Sequence, residues 1–396
     1  MTTRLLVVFG TRPEAIKMAP VVHELRRHHQ FLTQVCVTAQ HRQMLDQVLA
    51  FFEITPDYDL DIMQAGQDLF DVTTKVLMGM RTVIRQARPD YVLVHGDTTT
   101  CMAASLAAFY EKVKVVHVEA GLRTGDLQAP FPEEANRVIT ARLANLHFAP
   151  TRSARENLLR EGVDESTVTI TGNTVIDALF YACEKLERSY SDTHWQQHFG
   201  AAFFSDWTSA RYQRVLITGH RRENFGEGIA AICHTLASLA ARNPHWYFTY
   251  PVHLNPNIKE PVDRILGGFA NIKLMPPQEY DAFVWLMANA DVIVTDSGGI
   301  QEEAPSLGKP VLVTREVTER PEAVEAGTVK LVGTQPERLA FELNRLLTDA
   351  SHYQTMSRST NPYGDGLASQ RIVDTLAKVM RYPVTEPSLF GAMPVH

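Results

Sequence analysis

Two carboxylates follow consecutive apolar runs in the first half of the chain. Asp97 lies in "VLVHGDTTT" and Glu119 in "VVHVEAGLRTGD", each just beyond a Val-rich run. If these runs are neighbouring parallel strands, both carboxylates lie at one edge of the sheet, where ligands of such sheets bind. Glu133 follows in "FPEEANR", and His220 in "ITGHRREN" ends the first strand-like run of the second half. Such groups could remove a proton from one position and return it to another.

Each of these side chains also has a purely structural interpretation. Asp97 could cap the helix that begins near Thr98. Glu119 could pair with Arg123, and His220 could be a buried hydrogen-bond donor. No His-Glu-x-x-His or similar spacing of metal ligands occurs, so the sequence predicts no metal site.

The first strand-to-helix turn carries cations. In "VVFGTRPEAIKMAP" an apolar run ends at Gly10, and Arg12, Glu14 and Lys17 follow. A bidentate Arg and a point-charge Lys can hold phosphate oxygens without a Gly-rich loop, so we predict an anion site here. In the alternative interpretation Lys17 is a solvated helix residue and Arg12 pairs with Glu14.

A second anion-binding pattern lies in "VIVTDSGGIQEEAPSLGKPVLV". A strand-like run ends at Asp296, residues 297–299 make a tight turn, and a helix follows. Free N–H groups at a helix start suit a phosphate or diphosphate, and glycines let it approach the backbone. Glu303 could accept a hydrogen bond from a ribose, and Arg320 in "TERPEA" is a further phosphate-binding candidate. An ordinary capped helix is the alternative.

The composition argues against several classes of protein. The 396 residues are 45% hydrophobic and 21% charged, enough for two globular domains, and the formal net charge is −7. This acidic balance argues against a general nucleic-acid or anionic-membrane binder. No apolar run reaches the roughly 18 residues of a membrane span, and the N-terminal apolar stretch is too short for a signal peptide, so we expect a cytoplasmic protein. The four widely spaced cysteines predict neither a disulfide framework nor a zinc site.

Val- and Ile-rich runs recur in both halves of the chain. They are "LLVVFG", "TQVCVTA", "YVLVHGD", "KVVHVEAG" and "LHFAPT", then "RVLITGH", "WYFTYPVH", "IKLMPP", "DVIVTDSGG" and "PVLVTRE" after a less patterned stretch at about 185–212. This rhythm predicts an α/β protein with two doubly wound parallel sheets. We expect domains at 1–180 and 205–365, a C-terminal helix at 367–382 and a frayed tail at 383–396.

Ten segments, in chain order, closely resemble the non-hydrolysing UDP-N-acetylglucosamine 2-epimerases of bacteria. They are "FGTRPEAIKMAP", "VHGDTTT", "HVEAGLRTGD", "PEEANR", "GNTVIDAL", "HRREN", "YPVHLNP", "TDSGGIQEEAPSLGKPVLV", "TERPEAVEAGT" and "NPYGDG". The likeness covers roughly residues 4–380. It implies the GT-B architecture, in which two Rossmann-like domains face each other across a cleft and the final helix crosses back to the first domain. It also implies a homodimer that needs no redox cofactor or metal.

The resemblance implies a reaction, the reversible interconversion of UDP-GlcNAc and UDP-ManNAc for surface polysaccharide precursors. The C2 hydrogen of the sugar is not next to a carbonyl, so simple proton exchange would face a very high barrier. The family instead eliminates UDP across C1 and C2 in the anti sense, forms 2-acetamidoglucal, and adds UDP back after reprotonation from the other face. Charge on the departing diphosphate requires cations and helix-start N–H groups. That is the role inferred for Arg12, Lys17 and the turn at 297–299.

Matching motifs carry the family's site residues to positions of this chain. The acid/base positions, with no assignment of the one that removes the C2 proton, are Asp97, Glu119, Glu133 and His220. The substrate contacts are Arg12, Lys17, Asp97, Glu119, His220, Gln278, Phe283, Ser297, Gly298, Gly299, Glu303 and Arg320. Many bacterial members also bind UDP-GlcNAc as an allosteric activator, and the matching residues are Gln40, Gln43, Gln67, Glu133, His253 and one of Arg221 and Arg222. Glu133 therefore has two candidate roles.

Three other functions are compatible with these motifs. A hydrolysing epimerase would release UDP and free ManNAc, because water would replace the returning UDP. A GT-B glycosyltransferase would move the sugar of a UDP-sugar to an acceptor. A nucleotide-sugar sensor would bind without chemistry, although Asp97, Glu119 and His220 weigh against it.

Overall fold

The computed structural model describes most of the chain, in five stretches, namely residues 2–39, 42–64, 66–219, 221 and 225–381. The predicted tail at 383–396 lies outside them. The chain divides into two compact units. The first is built from the described residues of Met1–Ala178 and Tyr363–His396, and the second from those of Leu179–Pro362.

The first unit contains, among the described residues, a seven-stranded parallel sheet. Its strands are β1 (Thr3–Phe9), β2 (Phe31–Val37), β3 (Tyr58–Asp59), β4 (Tyr91–His95), β5 (Lys114–Val118), β6 (Leu146–Ala149) and β7 (Val168–Ile170). They lie in the order β3-β2-β1-β4-β5-β6-β7, so the direction of winding reverses between β1 and β4. This reversal is the topological switch point, beyond which ligands of doubly wound sheets bind.

Helices cover the first sheet with apolar faces. They are α1 (Arg12–Arg27), α2 (Arg42–Phe51), α3 (Leu69–Ala87), α4 (Thr99–Tyr110), α5 (Glu133–Leu143), α6 (Arg152–Arg160) and the start of α7 (Thr174–Ser189). On α3, buried Val72, Val76, Met80 and Val83 recur at helical spacing and form a core cluster with apolar residues of β1 and β4. This periodic burial fixes which face of the helix meets the sheet.

The second unit has a six-stranded sheet in the part of the chain that the structure describes. Its strands are β8 (Gln213–Ile217), β9 (Trp246–Pro251), β10 (Ile272–Met275), β11 (Val292–Thr295), β12 (Val311–Val313) and β13 (Val329–Leu331). All pairs are parallel, in the order β10-β9-β8-β11-β12-β13, with the switch point between β8 and β11. The two predicted parallel sheets are therefore confirmed.

Ten α-helices follow α7 in the described part of the chain. They are α8 (Asp192–Phe199), α9 (Ala201–Thr208), α10 (Glu227–Arg242), α11 (Pro256–Leu266), α12 (Tyr280–Asn289), α13 (Gly298–Glu303), α14 (Pro321–Glu325), α15 (Pro336–Thr348), α16 (Ala350–Ser357) and α17 (Ala368–Val379). The last helix, α17, packs against α1 in the first unit. Its first turn is held by Asp177 of α7, whose carboxylate accepts hydrogen bonds from the backbone N–H groups of Ala368 and Ser369 at 3.2 and 2.7 Å. The final helix thus returns to the first unit, as the resemblance implied.

The stretch that lacked a clear pattern in the sequence folds as two short helices, α8 and α9. Aromatic side chains hold them to α12: Trp195 and Phe199 stack on Trp285 with ring centroids 4.9 and 5.1 Å apart. Stacked rings bury large areas in few residues, so short helices can be stabilised without a long apolar stripe. This is why the stretch shows little periodicity.

Neither a membrane span nor a metal cluster occurs in the residues described. No helix there combines the length and apolar character that crossing a bilayer requires. Groups of His, Cys, Asp and Glu side chains able to hold a metal ion are likewise absent from that part of the chain. The four cysteines are buried and unbridged, and burial raises the pKa of the Cys36 and Cys233 thiols to about 12.

Candidate functional site

Asp97 and Glu119 lie side by side at one edge of the first sheet. Strands β4 and β5 pair in parallel, with His95 opposite Val118, so the turns that follow them lie next to each other. Glu119 itself has left-handed backbone geometry, with φ at 61°. Such a conformation is uncommon for a residue with a side chain, and it is found preferentially at functional sites.

The Glu119 carboxylate is the centre of a buried polar cluster. Its Oε2 pairs with Lys17 Nζ, accepts a hydrogen bond from Asn173 Nδ2 at 2.9 Å and lies 3.6 Å from His95 Nε2. The side chains of Lys17 and Glu119 are only 13% and 8% exposed. The solvated interpretation of Lys17 is therefore wrong.

Glu119 is not the partner of Arg123. Arg123 instead makes a bidentate pair with Glu161, with Nε and Nη2 donating at 2.7 and 2.9 Å. Burial alone would raise the pKa of Glu119, but the charges of Lys17 and His95 outweigh it and hold that pKa well below its usual value. Glu119 is accordingly ionised at neutral pH.

Asp97 has a different environment from Glu119. Its carboxylate lies 3.0 Å from Arg137 Nη2, and its side chain is 30% exposed. Burial raises the pKa of Asp97, the Arg137 cation opposes this, and the Glu119 charge reinforces it. Two neighbouring carboxylates with pKa values shifted in opposite directions are typical of acid/base pairs.

Thr98, and not Asp97, caps helix α4. The Thr98 hydroxyl accepts a hydrogen bond from the backbone N–H of Cys101 at 3.0 Å. The interpretation that Asp97 caps this helix is therefore wrong. The Asp97 carboxylate pairs with Arg137 instead.

The motif "PEEANR" separates into two roles. Glu134 is buried and accepts hydrogen bonds from the backbone N–H groups of Thr124 and Gly125 at 3.1 and 3.0 Å, so it shapes the loop before α5. Glu133, the first residue of α5, is half-buried, and its charge contributes to the raised pKa of Asp97. Arg137, which the sequence analysis did not single out, joins this helix to Asp97.

Glu14, which the sequence offered only as a possible partner of Arg12, connects two turns of the site. It is 2% exposed and accepts hydrogen bonds from the N–H groups of Gly10 and Thr11 at 3.0 and 2.8 Å and from the Thr98 hydroxyl at 2.6 Å. The bond from the Thr11 N–H belongs to a capping box, for which "TRPE" is the sequence signal. The third ties the turn that carries Arg12 to the turn that follows β4.

The turn after Glu119 requires glycine at position 121. Gly121 has φ at 94°, and a Cβ there would lie 2.2 Å from the carbonyl oxygen of Ala154 on α6. We expect Gly121→Ala to lower the free energy of unfolding by at least about 3 kcal/mol, from backbone strain together with a backbone clash. Gly162→Ala is the matched control, because Gly162 has φ at 82° with open space around it. For Gly162→Ala we expect the free energy of unfolding to fall by only about 1–2 kcal/mol. Equal losses in urea titrations would contradict the packing argument.

In the second unit, residues 297–299 and Arg320 lie together. Gly298 and Gly299 were predicted to form a tight turn, but they are the first two residues of α13. Ser297 precedes α13, and the Arg320 guanidinium packs so closely on Gly298 that a Cβ there would lie 3.0 Å from Arg320 Cζ. Arg320 Nε donates to Glu302 Oε1 at 2.8 Å, while Glu303 is partly exposed. The Arg320 guanidinium and the start of α13 thus lie together beyond the end of β11.

The remaining predicted substrate contacts in this unit lie around the start of α12. Gln278 follows β10, and its Nε2 donates to the carbonyl of Pro276 at 2.6 Å. Its Oε1 lies 3.0 Å from His198 Nε2, a contact with α8 that the sequence did not predict. Phe283 is half-buried in the first turn of α12. In the parallel sheet, β10 and β11 end at the same edge.

The predicted activator residues are distributed over both units. Gln43, Gln67 and Glu133 belong to the first unit, and Arg221 and His253 to the second. The backbone N–H of Arg221 donates to Asp296 at 2.8 Å. The predicted activator residues Gln40 and Arg222 lie outside the described part of the chain, as does the predicted acid/base residue His220.

Known proteins match this chain along nearly its whole length. The family model for UDP-N-acetylglucosamine 2-epimerase matches residues 23–377. A UDP-N-acetylglucosamine 2-epimerase of Escherichia coli O157:H7 is 58% identical over 373 residues, which are 94% of this chain and 98% of that protein.

Solved structures agree with this match. The crystal structure of UDP-GlcNAc 2-epimerase from Neisseria meningitidis bound to UDP-GlcNAc is 51% identical, with a TM-score of 0.86 over 95% of this chain and 100% of that one. A Methanocaldococcus jannaschii UDP-GlcNAc 2-epimerase in complex with UDP-GlcNAc and UDP is 32% identical, with a TM-score of 0.76 over 95% and 100%. The likeness confirms the predicted GT-B fold class. On both the family match and these relatives, the chain belongs to the UDP-N-acetylglucosamine 2-epimerase family.

Proposed function

We propose that this protein interconverts UDP-GlcNAc and UDP-ManNAc by inverting C2 of the sugar, without releasing free sugar. The observation that carries the proposal is the pair of Asp97 and Glu119 at adjacent strand ends, with Lys17 on Glu119. Their opposed pKa shifts suit proton transfer at a carbon. The relatives that bind UDP-GlcNAc support the substrate.

The second unit contributes the nucleotide-binding residues. The N–H groups of residues 297–299 and the Arg320 guanidinium bind the diphosphate, since both present positive charge beyond β11. Glu303 accepts hydrogen bonds from the ribose, and Gln278 and Phe283 are further contacts of the nucleotide.

The first unit carries the chemistry. A carboxylate removes the C2 proton, the C1–O bond breaks, and the electron pair leaves with UDP, giving 2-acetamidoglucal. Arg12 and Lys17 stabilise the charge that develops on the leaving diphosphate. Reprotonation of C2 from the opposite face and return of UDP to C1 complete the epimerisation. Two acid/base groups on opposite faces of the sugar are needed, and Asp97 and Glu119, with Glu133 and His220, supply them.

The proposal includes regulation and assembly. A second UDP-GlcNAc molecule acts as activator and is bound by Gln43, Gln67, Glu133, Arg221 and His253, together with Gln40 and Arg222. The enzyme acts as a cytoplasmic homodimer that supplies surface polysaccharide precursors. A sigmoidal dependence of rate on UDP-GlcNAc concentration, made hyperbolic by Gln43→Ala, is the expected signature of the activator site.

Gly298 gives a test of the nucleotide-binding residues. Gly298→Ala places a methyl group against the Arg320 guanidinium and displaces it, so we expect about tenfold weaker UDP binding, about 1.4 kcal/mol. Arg320→Ala is expected to weaken binding at least as much. The double variant should bind UDP like Arg320→Ala alone, because both changes remove one interaction. Fully additive losses by calorimetry would show that Gly298 acts independently of Arg320.

A proton NMR time course in deuterium oxide tests the proposed function. With UDP-GlcNAc alone, we expect UDP-ManNAc to appear, with deuterium at C2 of both sugar nucleotides. Free ManNAc and UDP in equal amounts would identify a hydrolysing epimerase. An unlabelled C2 after long incubation would rule out proton transfer, and with it the proposed reaction.

A further inference from the structure

The turn that carries Asp97 is held by side chains from other elements. The N–H of Gly96 still bonds to the carbonyl of Val118 at 2.9 Å, but Gly96 has left-handed geometry with φ at 65°. Its carbonyl oxygen lies 2.7 Å from His117 Nε2 on β5. The next carbonyl oxygen, that of Asp97, accepts a hydrogen bond from Asn136 Nδ2 on α5 at 2.9 Å. The carbonyl groups of Gly96 and Asp97, which flank the Asp97 Cα, are thus held by one side chain from β5 and one from α5.

His117 is an unusual choice for its position unless this bond matters. Its side chain is fully buried on β5, where an apolar residue would pack at lower desolvation cost. Burial lowers the pKa of His117 to about 3, so the ring is neutral. Because a carbonyl oxygen can only accept, the proton lies on Nε2. Nδ1 of the His117 ring has no hydrogen-bond partner among the described residues. Within that part of the chain, the hydrogen bond of the ring is the one to the Gly96 carbonyl.

We propose that His117 and Asn136 are positioning residues that aim the Asp97 carboxylate by holding the carbonyl oxygens of Gly96 and Asp97. Neither residue needs to touch substrate. The inference rests on the proposed function, in which Asp97 exchanges a proton with C2. Displacement of a reacting group by about 1 Å can slow a reaction by roughly 10²-fold, so a misdirected turn has a measurable effect on kcat.

A core-packing role would leave a different signature from a positioning role. Loss of packing lowers the unfolding temperature and affects nucleotide affinity and turnover together. Loss of the correct orientation of the Asp97 carboxylate lowers kcat while KM and the affinity for UDP stay unchanged. A side chain that restores the hydrogen-bond donor but not the shape of the ring distinguishes the positioning role from the packing role. Glutamine is such a side chain, because it carries an N–H at the end of a chain of similar length.

The experiment compares His117→Leu with His117→Gln in the full-length protein. For His117→Leu we expect kcat to fall by about 10- to 100-fold, with KM and the UDP dissociation constant within about twofold of the wild type. His117→Gln should recover kcat to within about threefold of the wild type. Wild-type kcat in folded His117→Leu, or equal impairment of both variants, would overturn the inference.

Asn136→Ala provides an independent arm, which decides the question if His117→Leu does not fold. It should also lower kcat at unchanged KM, and wild-type turnover would overturn the inference. In the double variant with His117→Leu the loss should be smaller than the product of the single losses, because both residues hold one turn. Failure of the proposed function is distinguishable, since the wild type itself would then show no deuterium at C2.

Discussion

Replacing Glu119 with Gln is expected to lower kcat by at least about 10²-fold, the low end for a general acid–base group. The amide keeps the shape of the side chain and can still accept the hydrogen bond from Asn173, but it can neither hold a proton nor balance the Lys17 charge. Asp97→Asn should have an effect of similar size. The affinity for UDP should stay within about twofold, because residues 297–299 and Arg320, which are proposed to bind the diphosphate, belong to the second unit. Initial rates by NMR and calorimetric titration with UDP measure the two quantities.

Glu111→Gln is the matched control for these variants. Glu111 is a carboxylate of the same unit whose Oε1 lies 2.8 Å from Arg85 Nη2. It ends α4 and precedes β5, so β5 separates it from Glu119, which follows that strand. We expect wild-type turnover for it. If Glu119→Gln and Asp97→Asn both kept wild-type rates, the assignment of the proton-transfer groups would be wrong.

Lys17→Met is expected to destabilise the protein by about 3–5 kcal/mol, because it leaves the Glu119 charge buried without its cation. The double variant with Glu119→Gln should regain most of this loss, since no unpaired charge is left. Lys259→Met is the control: Lys259 pairs with Asp263, but both side chains are about half exposed, so a loss below about 1 kcal/mol is expected. Urea unfolding of the wild type and these three variants gives the comparison.

The pH dependence of the Lys17→Met effect follows from the depressed pKa of Glu119. A carboxyl group with a lowered folded-state pKa stabilises the protein fully above its unfolded-state pKa, about 4.5, and this contribution is lost as the pH falls through the folded value. In Lys17→Met the group lacks its cation and protonates more readily. The stability gap between wild type and variant should therefore narrow from pH 7 to pH 4. A gap that widens toward acid pH would contradict the assigned ion pair.

The strands of this fold were readable from the sequence because they are buried on both faces. Parallel strands covered by helices appear as continuous Val- and Ile-rich runs, and each of the ten predicted runs contains a strand. The short strands β3, β7 and β13, of two or three residues, were missed. The equally short β12 was predicted because its three residues are all apolar and buried, whereas these strands include polar or partly exposed residues. The helices α8 and α9 were missed for another reason, since stacked rings hold them.

The site was only partly predictable. That Asp97 and Glu119 follow consecutive strands is visible in the sequence, but that these strands are neighbours is a property of the sheet order. The partners of the two carboxylates were not predicted: Arg137 lies in a noted motif, and Asn173 lies in another, yet nothing in their spacing indicates contact. Long-range side-chain pairs depend on the packed structure, which local patterns do not encode.

In the proposed reaction, the bond between C1 and the diphosphate oxygen breaks during epimerisation. UDP-GlcNAc labelled with oxygen-18 in that bridging position tests it directly. If UDP departs and returns, the β-phosphate can rotate in between, and phosphorus NMR will show label moving to non-bridging positions at a rate comparable with deuterium entry at C2. Label that stays in the bridge while C2 becomes deuterated would contradict elimination of UDP.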